Sequence, residues 1–310
     1  MKFVTPITKQ PLLQKDYETL ACQESAVEYK RINGIWRMIA AERQPLFEQF
    51  VREYETVRLA EGRQAADPDF YRQLPTTSDR HPAADMWRQR AHSYQIFLDS
   101  ILSKMENNAD KQLNILDLGA GNGWLSNRLA GRGHQVAAVD LTINEFDGLG
   151  VHSAYTQAFT AVQAEFDHLP FDDNQFDLII FNASLHYSTD YTQSLAESIR
   201  TLPPGGRIAI IDTPVYQHAD SGRKMVAERE TQFSNQFGFK SDSLHSQNFL
   251  THATIQALEN DINRPFQTIP TVAPIRRAVR RVKTHLRGQR ESAEFPILTF
   301  TTAGTAGDKR

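Results

Sequence analysis

One stretch constrains the fold more than any other: Asn114-Ile115-Leu116-Asp117-Leu118-Gly119-Ala120-Gly121-Asn122-Gly123-Trp124-Leu125. Ile115, Leu116 and Leu118 predict an apolar strand running into a glycine turn, and Trp124 to Ala130 read as a helix. Glycines at 119, 121 and 123 permit dihedrals closed to other residues and let a ligand lie against bare backbone. The helix start behind them offers free N–H groups. From Leu113 onward strands and helices alternate, the pattern of a parallel sheet covered on both faces. Strands are expected at 113–118, 135–140, 161–165, 176–182, 206–212, about 266–272 and 295–301.

The register of the turn narrows the ligand. A nicotinamide or flavin fingerprint is G-x-G-x-x-G/A. Here the order is Asp117-x-Gly119-x-Gly121-x-Gly123, with Trp124 where the third small residue is needed. An acid before the glycines repels a pyrophosphate but suits a ligand carrying an ammonium group, such as S-adenosylmethionine. The stretch resembles motif I of the class I S-adenosylmethionine-dependent methyltransferases, with a type 11-like domain. The resemblance implies a doubly wound, Rossmann-like sheet of seven strands, the last antiparallel, and S-adenosyl-L-methionine as cofactor.

Further segments fit that family in order and spacing, over about residues 113 to 215. Val136-Ala137-Ala138-Val139-Asp140 is a buried strand ending in an acid 17 residues after Gly123, suited to accept from both ribose hydroxyls. Ala164-Glu165-Phe166-Asp167-His168-Leu169-Pro170-Phe171 is similar to the segment whose acid accepts from the adenine amino group. The resemblance assigns that role to Glu165, with Asp167 as the rival, and offers the base the Phe166 ring and N–H. Phe176 to Tyr187 matches the fourth strand and its loop, so that Asn182 to Tyr187 should line the space between donor and acceptor. Leu202-Pro203-Pro204-Gly205-Gly206 resembles a structural turn before the fifth strand. The expected cofactor residues are therefore Asp117, Gly119, Gly121, Gly123, Asp140, Glu165, Phe166 and Asn182. His186 is the candidate general base, against the alternative of a packed loop residue, and Tyr155, Tyr187 and Tyr216 are candidates to orient an acceptor. No metal site is expected, since the histidines lack ligand spacing.

Before the sheet, residues 1–40 are read as a ribbon-like arm and 41–106 as a helical cap, with the methyltransferase domain over 107–310. Thr5, Thr8, Cys22 and Ser25 stand at the spacing of two C-x-x-C knuckles, similar to zinc ribbons that precede some methyltransferases. Three of the four are poor zinc ligands, which predicts a degenerate, metal-free ribbon; an ordinary β-rich arm is the alternative. Phe47, Phe50, Val51, Tyr54, Val57 and Arg58 predict one helix ending near Gly62. Trp87, Ala91, Tyr94, Phe97, Leu98, Ile101 and Leu102 predict a second, from about 85 to 104, with a loop between. Placed just before the first sheet strand, these helices should cap the site.

A net charge of −3 gives no global sign of nucleic-acid or membrane binding. Cys22 is the one cysteine, and no signal-peptide or membrane-spanning run is evident, so a cytoplasmic protein is expected. Residues 275–290 carry seven basic residues and no acid, with Ile275, Val279, Val282 and Leu286 as a helical stripe. This basic amphipathic helix could clamp an anionic acceptor, meet an anionic surface, contact RNA or simply pack on the sheet. The expected activity is methyl transfer to a small-molecule or lipid-linked acceptor. An RNA methyltransferase and a non-catalytic scaffold are the alternatives, with Asn182-Ala183-Ser184-Leu185 lacking the motif of many base-nitrogen methyltransferases.

Overall fold

In the computed structural model, which describes residues 1–65, 67–109, 112–273 and 290–303, the strand expected at 113–118 is the middle of one large sheet. In chain order the strands are β1 (Leu12–Asp16), β2 (Thr19–Cys22), β3 (Glu28–Ile32), β4 (Ile35–Arg37), β5 (Asn114–Leu118), β6 (Gln135–Asp140) and β7 (Thr160–Gln163). They are followed by β8 (Leu178–Asn182), β9 (Arg207–Ile211), β10 (Val215–Tyr216), β11 (Leu250–Thr251), β12 (Gln267–Ile269) and β13 (Ile297–Thr301). The helices are α1 (Gln44–Ala60), α2 (Pro68–Gln73), α3 (Ala84–Phe97), α4 (Ser103–Ala109), α5 (Trp124–Gly131), α6 (Tyr191–Arg200), α7 (Ala219–Phe237) and α8 (His252–Asp261).

The sheet order is β1-β2-β3-β4-β7-β6-β5-β8-β9-β13-β12. Parallel pairing runs from β7 through β6, β5 and β8 to β9. The near-continuous apolar runs of β5, β6 and β8 are what a strand buried on both faces requires: Leu116, Val139 and Ile180 are each 0% exposed. β13 enters antiparallel against β9, as the resemblance implies.

The seven strands expected from residue 113 onward correspond to β5, β6, β7, β8, β9, β12 and β13, and the sheet has eleven among the described residues because four strands of the N-terminal arm join it. Three antiparallel pairings order β1 to β4, and β4 then pairs in parallel with β7 through Ile35↔Ala161, Trp36↔Val162 and Arg37↔Gln163. Leu12, Leu20, Tyr29 and Trp36 bury into the same apolar cluster as Leu116 and Val162, so the arm continues the core rather than standing apart. At the ribbon-like positions, Thr5 and Thr8 hydroxyls bond each other at 2.7 Å, and the Cys22 thiol donates to Gln10 at 3.3 Å. Among the described residues no group of metal-ligating side chains is found, and nothing supports the zinc-ribbon resemblance of this segment.

The cap follows its periodicity. Phe47, Phe50 and Val57 bury one face of α1, and Trp87 and Phe97 do so for α3. A π-helical turn, Leu98–Leu102, carries α3 into α4. Asp67 caps α2 by accepting from Asp69 N, a short helix inside the expected loop. No helix among the described residues is long and apolar enough to cross a membrane. The basic stretch expected at 275–290 lies outside the described residues except for Arg290.

Candidate functional site

At the carboxyl ends of the parallel strands the chain turns back on itself, and the backbone there is strained to make room. Gly119 (φ +74°), Gly121 (+55°) and Gly123 (+78°) are all left-handed, so β5 reverses into α5 within a few residues. A Cβ at Gly119 would lie 2.2 Å from Ser184 Cβ and 3.3 Å from the Phe166 ring. Here the glycine is required by packing as well as by its dihedral. Ala183, at the end of β8, and Asp212, at the end of β9, are also left-handed without being glycine. Strain of this kind costs about 1–3 kcal/mol per residue and gathers at ligand sites.

Two cavities open there. The first, about 440 Å³, is lined by Gly119 to Asn122, Asp140, Glu165, Phe166 and Asn182, and roofed by Phe47, Phe50 and Tyr54 of α1. Its size suits a nucleoside-sized ligand. The second, about 950 Å³, is lined by α3 and α7 with His186, Asp212 and Tyr216. Arg58, Arg90, Ala183 and Tyr187 border both, so the cavities are neighbours across a shared wall.

Of the eight expected cofactor residues, six line the first cavity: Gly119, Gly121, Asp140, Glu165, Phe166 and Asn182. Asp140 Oδ1 accepts from Thr142 N (2.8 Å) and Thr142 Oγ1 (2.7 Å), and Oδ2 accepts from Gly121 N (2.8 Å). These bonds fix the carboxylate and leave lone pairs on Oδ2 for a diol. Burial raises its pKa above the usual carboxylate range.

The other two expected residues stand outside the cavity lining. Gly123 does not line the cavity; it is the N-cap of α5, where a side chain would strike Phe159 at 2.7 Å. Asp117 is 0% exposed and lies behind the turn instead of in the cavity wall. Its Oδ2 accepts from Ser126 Oγ at 2.7 Å, and its Oδ1 has no partner. Burial pushes its pKa up to about 7, opposed by the Ser126 bond.

Both acids of the 164–171 segment, Glu165 and Asp167, are already engaged within the protein. Arg43 clamps Glu165 through Nε to Oε1 (2.5 Å) and Nη2 to Oε2 (2.7 Å). Asp167 accepts from Ser194 and, at 3.5 Å, from Thr189, and burial raises its pKa. A ligand amino group there would share an acid with Arg43 or displace it.

His186 also stands outside the first cavity. It lines the second cavity rather than the first, is 8% exposed, and its Nδ1 is buried without a partner. Burial, then the guanidinium groups of Arg229, Arg58 and Arg90, push its pKa down to about 3. At neutral pH it is a neutral imidazole whose conjugate acid is too unstable for an efficient general base. Tyr187 lines both cavities and Tyr216 the second, whereas Tyr155 packs against Phe159 and reaches neither.

Sequence reasoning missed the arginines. Arg58 Nη2 donates to Tyr54 OH (2.8 Å) and its guanidinium stacks over the Tyr54 ring at 4.3 Å. The same group lies 3.8 Å from Asp147, whose carboxylate also accepts from Asn122 Nδ2 at 3.2 Å. The signal was present, because Arg58 falls on the apolar stripe of α1, where a charge needs a reason.

Residues 116–210 match a protein family described as a methyltransferase domain. An uncharacterized methyltransferase of Mycobacterium tuberculosis is 36% identical over 97 residues, covering 31% of this chain and 38% of that protein. The ubiquinone/menaquinone biosynthesis C-methyltransferase of Psychromonas ingrahamii is 34% identical over 115 residues, covering 33% and 44%. The aligned part thus spans less than half the length of these relatives. Among solved structures, the 1,6-didemethyltoxoflavin N1-methyltransferase of Burkholderia thailandensis matches with a TM-score of 0.49 and 14% identity, covering 94% of this chain and 99% of that one. The part that matches the methyltransferase domain is thus the stretch from β5 to β9.

Proposed function

We propose that the protein is an S-adenosylmethionine-dependent methyltransferase acting on a small-molecule or lipid-linked acceptor. The observation that carries this reading is the first cavity: a bare glycine backbone, a fixed carboxylate at Asp140 and a buried acid, Asp117, with one oxygen unsatisfied behind the turn. An orphaned buried carboxylate oxygen is costly and calls for a donor. Asp117 lies outside the cavity wall and acts on an ammonium group there through its charge, while the bare glycine backbone and the Asp140 carboxylate are the wall residues that fit the proposed ligand. The relatives named as methyltransferases support the same chemistry.

In this reading Gly119 and Gly121 face the amino-acid part, Asp140 accepts from the ribose hydroxyls, and Phe166 with Glu165 or Asp167 meets the base. The cofactor, when bound, supplies an activated methyl group on a sulfonium. The protein's own contribution is alignment, which can remove roughly 7–11 kcal/mol from a displacement barrier. Asn182 to Tyr187 form the boundary between the two cavities, and α1 roofs the site, excluding water from the reacting atoms. No side chain is assigned as general base. His186, held neutral, serves as a hydrogen-bonding wall of the acceptor space.

Incubating the protein with methyl-labelled S-adenosylmethionine and fractionated metabolite extracts tests the proposal. Transfer of label into one fraction, dependent on the protein and lost in Asp140→Ala, is the expected result. Tight cofactor binding with no transfer to any fraction would instead favour a scaffold.

A further inference from the structure

The second cavity is lined by two arginines, Arg90 and Arg229, that have no ion-pair or hydrogen-bond partner among the described residues. Arg90 of α3 is half-buried, stacks over Trp87 at 5.0 Å, and makes no ion pair or hydrogen bond among the described residues. Arg229 of α7 likewise has no ion pair or hydrogen bond there, and its Nε is buried without a partner. A buried, unpaired guanidinium donor is costly unless a ligand completes it. The acids in the same wall make no ion pair or hydrogen bond with either one, and Asp212 acts on Arg90 only electrostatically, from beyond ion-pair distance. Asp85 pairs with Arg88 and Glu228 with Arg290. Asp212 is bound by Ser93 at 2.7 Å, with its other oxygen unpaired. The rest of the wall is mixed: Met86, Met225, Tyr216 and Phe295 give it an apolar and aromatic part, and Gln89, Lys224, Asn248 and Ser292 a polar one. Arg58, Arg90 and Arg229 all act electrostatically on His186, which places their charges around one space.

Resting on the methyltransferase reading above, we infer that this second cavity is the acceptor site and takes an amphipathic small molecule bearing a carboxylate or phosphate. Its anion sits on Arg90 and Arg229, and its apolar body lies against Met86, Met225 and Phe295. The forked guanidinium groups match an oxyanion bidentately. Arg90, Ala183 and Tyr187 border both cavities, so a molecule anchored this way reaches the shared wall where a methyl group would be presented. The anion gives register, and the apolar wall sets the size of what is accepted.

The test uses the full-length protein saturated with S-adenosylhomocysteine and three probes titrated calorimetrically: 2-naphthoate, 2-naphthyl phosphate and neutral 2-naphthamide. At least one anion should bind about tenfold or more tighter than the amide, a typical value for charge-assisted pairing. The tighter of the two identifies the oxyanion. Arg90→Gln and Arg229→Gln should each weaken that anion by about tenfold and leave the amide unchanged. S-Adenosylhomocysteine binding by Arg229→Gln should match wild type, since Arg229 does not line the first cavity, which shows that the variant is folded. Equal binding of anion and amide, no binding of either anion, or wild-type anion affinity in both variants overturns the proposal. If wild type fails to bind S-adenosylhomocysteine, the methyltransferase reading falls instead, and the same titrations on the ligand-free protein still decide whether the cavity takes anions.

Discussion

Asp117 makes the ligand-free protein less stable as pH rises, and replacing it with asparagine should remove that dependence. Its carboxyl is fully buried, with one bond from Ser126 and one bare oxygen. The folded-state pKa is raised from 3.8 to about 7. A raised carboxyl pKa means the native state holds its proton where the unfolded chain has released it. Stability is therefore unaffected below about pH 4 and falls progressively up to about pH 7. A shift of roughly three units at 1.36 kcal/mol each gives about 4 kcal/mol lost above pH 7. Asp117→Asn cannot ionise, although its buried amide costs about 1–3 kcal/mol at every pH. Urea denaturation of both proteins from pH 4 to 8 reads the difference. The variant should begin less stable, and the gap should shift in its favour by about 4 kcal/mol across the range. Taking the difference cancels the buried carboxyls Asp147 and Asp212, which carry shifts of the same sign, while Asp140, whose charge adds to the rise at Asp117, contributes through that coupling. A gap constant to within about 1 kcal/mol would refute the reasoning, because it would mean Asp117 titrates in the native state as it does in water.

Three further outcomes follow from the site. Gly119→Ala places a methyl group 2.2 Å from Ser184 Cβ at a left-handed dihedral, and should cost roughly 2–4 kcal/mol with loss of cofactor binding; a variant with wild-type melting and titration curves would contradict the packing account. Arg43→Ala strands the Glu165 carboxylate, 6% exposed, and should destabilise by about 3 kcal/mol, with much of that recovered in Arg43→Ala/Glu165→Gln. Failure of the second change to recover stability in chemical denaturation would show that the charge is not what matters. His186, its pKa lowered to about 3, should show no imidazole titration by NMR between pH 5 and 8, and its folded-state contribution should be lost only as pH falls below the ordinary value of 6.5. A midpoint near 6 would restore it as a candidate base.

What the sequence disclosed was local. The turn after β5, Asp140 at the end of β6 and Asn182 at the end of β8 were legible because each sits at a fixed offset from an apolar run, and a strand end determines where its last residues point. Contacts between distant segments were not legible. Nothing near Arg43 announces Glu165, 122 residues away, and nothing near Arg229 announces His186. The mismatch at Asp117 is of the same kind: its residue type fits an ammonium, but burial behind the turn depends on the packing of α5 through Ser126. The long helix α7 escaped attention for a different reason. Gly222, packed on Phe249, is its one buried residue, so it carries no apolar stripe to read. The N-terminal arm was read as ribbon-like, with a β-rich arm as the alternative, and its partner was not legible because edge pairing with β7 leaves no periodic signal.

The most direct test of the central claim is calorimetric titration of the purified protein with S-adenosylmethionine and S-adenosylhomocysteine, beside Asp140→Ala. Losing both carboxylate oxygens at the ribose position should weaken binding by about 2–3 kcal/mol, or roughly 30- to 150-fold. Saturable binding by wild type with that loss in the variant is the predicted result. No binding by folded wild type, or equal binding by the variant, would contradict the account of the first cavity.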